Sequence, residues 1–228
     1  MVKQLFIIIT LVFLVIMLLP LMTEVKPFED LSLVSQKYVN AGPDELGSQN
    51  LVTAVVVTYR GLDTLGEVAV LFIATAGIGF FLRKKAVEEK DMKSKASVLV
   101  RTGTALLLPL ILLLGVYIFL HGHLTPGGGF QGGVVIASGI LLLMLAQSDI
   151  KINISLLYWI ESLSGAFYVI IGILGLALAG GFLDNRFLPL GDFGRLFSAG
   201  AIPIIYSLIG LKVGAELVGI LNNMQRSQ

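Results

Sequence analysis

Six long stretches of the chain contain no Asp, Glu, Lys or Arg: residues 4–23, 68–82, 102–120, 124–148, 162–183 and 196–211. An apolar helix of about 20 residues crosses a hydrocarbon core about 30 Å thick, because each residue advances about 1.5 Å. Strands of a transmembrane barrel would instead alternate in short segments. These runs are continuous and rich in Leu and Ile, so helices are the fit. Composition points the same way: 56% of residues are hydrophobic and 14% charged, against about 25% charged in a soluble domain. The sequence therefore predicts an all-α integral membrane protein with six transmembrane helices, near 4–22, 62–82, 98–120, 129–147, 160–182 and 196–221. Little of the 228 residues is left for a soluble catalytic domain.

Lys3 ahead of an apolar run invites reading the first span as a signal peptide. The run is longer than a signal core and lacks a small-x-small cleavage site before Thr23, so a retained helix is expected. Orientation follows the distribution of Lys and Arg. Lys3, Arg83, Lys84, Lys85, Lys90, Lys93, Lys95, Arg101, Lys151 and Arg226 fall on one side of a six-span chain. Lys26, Lys37, Arg60, Arg186 and Arg195 fall on the other. The excess predicts that both termini and the loop near residue 90 are cytoplasmic. A net charge of +1 offers no argument for nucleic acid, and the absence of cysteine excludes disulfides, Cys-held zinc or iron–sulfur clusters and thiol catalysis by this chain.

The organisation predicted is a two-helix segment, 1–82, with a polar outer loop at 24–50, then a charged cytoplasmic linker, 83–97, and a four-helix domain, 98–228. The segment Asn50–Tyr59 is apolar but too short to span beside 62–82, so it lies at the outer interface or packs against partner subunits.

Charges inside a bilayer are costly and usually face a bundle interior or a water path. Asp63 and Glu67 are four apart and share a helix face, and Arg60 can reach the first carboxylate more easily than both. Asp63 fits a helix N-terminus; Glu67, deeper, is a candidate for a proton or cation path. Lys212 and Glu216 are also four apart, inside the last span, where they can pair. A pair of this kind is either scaffolding or part of a proton path, because burial drives a lysine toward its neutral form. Glu161, after Trp159, reads as an interfacial anchor. His121 and His123, at the outer end of the third helix, titrate near neutrality and are chemically suited to proton entry or exit; as a metal site, His-x-His without further ligands is weak.

The sharpest local motif is the turn His121-Gly122-His123-Leu124-Thr125-Pro126-Gly127-Gly128-Gly129-Phe130-Gln131-Gly132-Gly133. Pro126 with Gly127, Gly128 and Gly129 supplies tight-turn geometry. Gly129 and Gly133 let the fourth helix approach a neighbour's backbone closely, as Gly210 and Gly214 would in the last helix. A phosphate-cradling role is rejected, because no Gly-Lys-Ser/Thr follows.

The stretch Ser97–Ala146, with its Arg101-Thr102 pair, its His-Gly-His and its PGGGFQGG hairpin, resembles the B subunit of Mrp-type multisubunit cation/proton antiporters. The same module recurs in archaeal membrane-bound hydrogenase and sulfane sulfur reductase. Asn50–Ala74, with the run from Tyr59 to Glu67 (YRGLDTLGE), resembles the C-terminal region of the antiporter's large A subunit. The chain thus looks like a fusion of that region with a B subunit.

The resemblance implies a membrane subunit of a Mrp-type antiporter module in the cell membrane, contributing to the ion path and to assembly. Na⁺ and H⁺ are the implied transported ions. The chain itself is expected to bind no cofactor and catalyse no reaction. Its implied partners are the other antiporter subunits, or hydrogenase-like or sulfur-reductase-like subunits, within the lipid bilayer. Ion-path interest falls on Glu67 and Asp63; Lys212 and Glu216 rest on the bilayer argument alone. The rival expectations are the same subunit inside a ferredoxin-driven respiratory complex, a purely structural assembly subunit, and a stand-alone transporter.

Overall fold

A computed structural model of the chain describes residues 2–24, 31–83, 96–147, 150 and 152–226. These residues form helices and loops, with no strand among them. Among the described residues, six helices are long and apolar enough to cross a membrane: α1 (Val2–Glu24), α4 (Gly61–Arg83), α5 (Val98–Leu120), α6 (Gly129–Ala146), α7 (Ile154–Leu178) and α8 (Ile202–Arg226). Two short helices, α2 (Leu33–Leu46) and α3 (Leu51–Ala54), and a π-helical turn, Val55–Tyr59, precede α4. A 3₁₀ turn, Asn185–Phe187, lies between α7 and α8. The linker expected at 83–97 falls mostly on residues outside those described. The chain divides into two compact units, Met1–Gln36 and Lys37–Gln228. In the first, α1 is apolar around its whole circumference.

In the second unit α8 is the central element, packed by α6, α7, α4 and α5. Its span is 56% buried, against 11% for that of α4. Ile202, Ile205, Ile209 and Val213 of α8 form a core with Val57, Val68, Tyr168 and Leu183. The exposed faces of the helices in this unit are largely apolar, with Asp63 and Glu67 of α4 and Arg101 of α5 as exposed charges.

Three elements differ from the sequence expectation. The polar outer loop contains a 14-residue helix, α2. Ser32 Oγ accepts from Ser35 N at 3.2 Å just ahead of it, the arrangement of an N-cap. α7 begins six residues earlier than expected: Asn153 caps it by accepting from Leu156 N at 3.1 Å. Glu161 therefore lies two turns inside the helix, and it lines a cavity between α4, α7 and α8. α8 begins at Ile202 rather than near 196. Ala199 and Gly200 both have left-handed backbone (φ 62° and 56°), which ends any helix running through them.

The apolar segment 50–59 straps the glycine hairpin of its own chain. Asn50 accepts from Val52 N and Thr53 N, capping α3, while its Nδ2 donates to Gly122 O (2.9 Å) and Thr125 O (3.0 Å). Thr53 Oγ1 donates to Gly122 O at 2.6 Å, and Tyr206 Oη donates to Thr53 Oγ1 at 3.1 Å, tying strap, hairpin and α8 together. A second tie is Asn185, fully buried, whose Nδ2 donates to Leu46 O (3.0 Å) and Ala199 O (2.8 Å). Both ties close the same end of the bundle.

Candidate functional site

Near the middle of α8, Lys212 Nζ donates to Glu216 Oε1 at 2.6 Å, with side chains 10% and 0% exposed. Removing two opposite charges from water is tolerable when they meet in good geometry. Lys212 also lies 4.9 Å from the centre of the Phe72 ring on α4, a favourable place for a cation. Its stem runs over Gly165 of α7, where a Cβ would come within 3.6–3.8 Å of Lys212 Cδ, Cε and Nζ. The second oxygen of Glu216, Oε2, is buried and has no hydrogen-bond partner.

A cavity of about 690 Å³ opens beside this pair, between α4, α7 and α8. Thr75, Gly79, Glu161, Glu216, Asn222 and Asn223 line it together with Phe72 and Tyr158. Apart from Phe72, midway along α4, they lie toward the C-terminal ends of α4 and α8 and the N-terminal end of α7. Glu161 faces both Lys212 and Glu216 closely enough to interact electrostatically with each. Two carboxylates and one ammonium thus meet inside the membrane span.

The remaining sequence candidates are placed differently. Asp63 lies within the first turn of α4 rather than at its cap, and pairs with Arg60, whose Nε donates to Asp63 Oδ2 at 2.6 Å. Both are more than half exposed (64% and 51%), so the pair is worth little, about 0–1 kcal/mol. Replacing Asp63 with Asn is expected to leave the melting temperature of the detergent-solubilised protein within about 3 °C of the parent, as read by fluorescence-detected thermal unfolding. Glu67 is exposed on α4, apart from Lys212 and Glu216, and its charge is felt by Tyr168 of α7. The Tyr168 hydroxyl is buried without a partner.

The two histidines make different contacts. His121 stacks on Tyr117 with centroids 4.1 Å apart. His123 is fully buried, with Nε2 3.3 Å from Arg195 O. Burial holds the His123 imidazole below its ordinary pKa. Elsewhere at that end, burial and the adjoining Glu45 carboxylate, which accepts from Tyr59 Oη at 2.6 Å, push the Tyr59 phenol up to about 12.

The hairpin glycines make room for backbone. Pro126 lies in the turn between α5 and α6. A Cβ on Gly129 would lie 2.6 Å from Ile209 Cβ, and one on Gly133 2.8 Å from Gly210 O. One on Gly132 would lie 2.6 Å from Gly115 O, and one on Gly127 2.8 Å from Ile118 O. α6 is thus pressed between α5 on one side and α8 on the other. At Gly128 the nearest atom would be Gln131 Oε1 at 2.7 Å, with the Tyr206 phenol at 3.3–3.4 Å.

Sequence reasoning missed Glu161 and Gly165 as parts of the site. Their spacing of four residues places them on one face of a helix, a signal present in the sequence but meaningless until α7 is known to face α8.

Comparison with known proteins bears on the whole architecture. Residues 99–219 match the family model of a domain related to the MnhB subunit of Na⁺/H⁺ antiporter. Residues 5–95 match that of the E subunit of MBH. An uncharacterized protein of Methanocaldococcus jannaschii is 30% identical over 194 residues, covering 74% of each chain. The B subunit of the Na⁺/H⁺ antiporter of Bacillus subtilis is 49% identical over 59 residues, covering 26% of this chain and 41% of that one. Among solved structures, a chain of the membrane-bound sulfane sulfur reductase, an archaeal respiratory membrane complex, superposes with a TM-score of 0.83 at 45% identity, covering 98% of both chains. A chain of the Mrp complex from Dietzia sp. superposes with a TM-score of 0.76 at 24% identity, covering 97% of this chain and 26% of that one, and shows a shared fold. With six apolar helices and a match across more than half its length, the chain belongs to the family of multi-pass membrane subunits related to the MnhB subunit of Na⁺/H⁺ antiporters.

Proposed function

We propose that this subunit handles ions within the membrane arm of a respiratory complex, moving Na⁺, H⁺ or both, with Lys212 and Glu216 as its working pair. The observation that carries the reading is the buried Lys212–Glu216 ion pair beside a polar cavity, with Glu161 as a second carboxylate facing it. A scaffold needs no unpaired carboxylate oxygen in a bilayer; an ion path does. Glu67 and Asp63 would serve a separate step at the opposite end of α4. Because Glu67 is exposed six residues into a spanning helix, its face must be covered by another subunit in the assembly, since lipid would not tolerate the charge. The excess of Lys and Arg around residues 83–101 supports placing the cavity's open end toward the cytoplasm, with both termini on that side.

Two findings favour a respiratory host over a free antiporter. The full-length likeness to the sulfane sulfur reductase chain covers both proteins end to end, whereas the matched Mrp chain is about four times longer than the match. The N-terminal segment also matches a hydrogenase-type family model. The chain supplies the membrane part only; redox chemistry would reside in partner subunits.

The test is Glu216→Gln in the assembled complex. In everted membrane vesicles, the Na⁺-dependent relaxation of an imposed ΔpH, followed with a ΔpH-sensitive dye, is expected to fall at least tenfold while native electrophoresis shows an intact complex. An unchanged response in that variant would remove Glu216 from ion handling.

A further inference from the structure

The charge balance around the cavity leads beyond the ion pair itself. Glu216 on α8 and Glu161 on α7 both line the cavity, and Lys212 sits one turn from Glu216 on the same helix. Lys212 also lies against Gly165, one turn above Glu161 on α7, so the ammonium caps the space between the two carboxylates. One ammonium balances one carboxylate. Among the described residues, the second negative charge has no partner from the other elements that pack here. α4 presents Phe72, Thr75 and Gly79, none of which titrates. α6 carries no charged residue, and the lone charge of α5, Arg101, is exposed in its first turn.

The oxygen inventory is that of a hard cation's site. Glu216 Oε2 is buried, in a residue 3% exposed, and has no hydrogen-bond partner. Glu161, Thr75, Asn222 and Asn223 bring further oxygens to the same walls. Oxygen ligands of carboxylate and amide type suit hard, weakly polarising cations. The open volume is far larger than one ion, so the ion can keep part of its water shell.

We propose that the α4–α7–α8 cavity is an aqueous vestibule ending in a binding site for one monovalent cation of the Na⁺ class, held by Glu216 Oε2 and Glu161 and exchangeable with a proton. Lys212 is the fixed counter-charge that limits the site to a single positive charge: a divalent ion would leave the group of charges net positive in low dielectric. This rests on the ion-handling reading above and adds to it the ligand, the ligating oxygens and the side of entry.

Two measurements on the intact complex test it. The first is modification of carboxyls by dicyclohexylcarbodiimide, which reacts with protonated carboxyls in apolar surroundings, read by mass spectrometry of the α7 and α8 peptides at fixed pH. NaCl is expected to suppress labelling of Glu161 or Glu216 at least fivefold, with choline chloride at equal ionic strength as the control and without effect. Labelling unchanged by Na⁺ would overturn the cation site, although Glu216→Gln could still abolish ion movement. The second uses the absence of native cysteine in this chain. A Thr75→Cys variant is expected to react with a membrane-impermeant cationic thiosulfonate from the side on which α4 ends and α5 begins, and at least tenfold more slowly from the other. Equal reactivity from both sides, or none from either because a partner helix or lipid fills the space, would overturn the vestibule.

Discussion

Replacing Gly133 with leucine is expected to abolish accumulation of the folded chain. A Cβ there would meet Gly210 O at 2.8 Å, Val213 Cβ at 2.9 Å and Gly214 N at 3.0 Å. None of these is the end of a flexible side chain, so α6 and α8 must separate. On the other side α6 is held against α5, where Gly132 and Gly115 meet backbone to backbone. Overpacking a well-packed site costs about 1–3 kcal/mol when side chains can yield, and more when backbone cannot. A native stability of about 5–15 kcal/mol leaves little margin for that. The fixed hairpin and its strap through Asn50 and Thr53 would be strained together, because they share one end of the bundle. Fluorescence-detected size-exclusion of a tagged chain would show loss of at least nine-tenths of the monodisperse peak. Gly103→Ala is the control: nothing lies within 4 Å of a Cβ at that position, and the peak should be unchanged.

Replacing Lys212 with alanine is expected to be nearly as damaging, for a different reason. It strands Glu216, whose side chain is fully buried, without its partner. Breaking one side of a buried pair costs about 3–5 kcal/mol, whereas replacing both partners with apolar residues of similar volume is often neutral or stabilising. The double variant Lys212→Met with Glu216→Leu should therefore recover the thermal stability that Lys212→Ala loses, measured as the melting temperature of the detergent-extracted complex. Glu161, which lines the cavity and is half-buried, can take a proton from water when Lys212 is gone. Equal losses in the single and double variants would mean that packing, rather than the uncompensated charge, sets the cost.

The spans were legible in the sequence because the bilayer imposes a length that few other structures need. Runs free of charge located α1, α4, α5 and α6 to within a few residues. Where the rule failed, a local device intervened. Glu161 suggested a membrane boundary, yet the Asn153 cap starts α7 before it. The left-handed pair Ala199 and Gly200 delays α8 although the residues around it are apolar. α2 was hidden because it is polar and carries Gly42 and Pro43, a pair that ordinarily marks a loop, inside it.

At the site, the Lys212–Glu216 pair could be read from its spacing, since residues four apart on a helix are neighbours. The close approach of Gly129 and Gly133 to α8 followed from the same rule. Contacts across long separations could not be read. The strap from Asn50 to Gly122 and the facing of Glu161 toward α8 depend on which helices adjoin, and no local pattern in one sequence states that. For Glu67 the sequence located the depth but not the direction. The structure turns it to the outside of this chain, near Tyr168, which makes it a matter for the assembled complex.

Whether the buried charges handle ions or only hold helices together is decided most directly by one measurement. It is the Na⁺-dependent relaxation of ΔpH in everted vesicles containing the complex with the double variant Lys212→Met and Glu216→Leu, alongside its melting temperature. Ion handling by the pair predicts an intact complex, as stable as the parent, whose ion response has fallen at least tenfold. A stable complex with an undiminished response would contradict it and leave the pair as scaffolding.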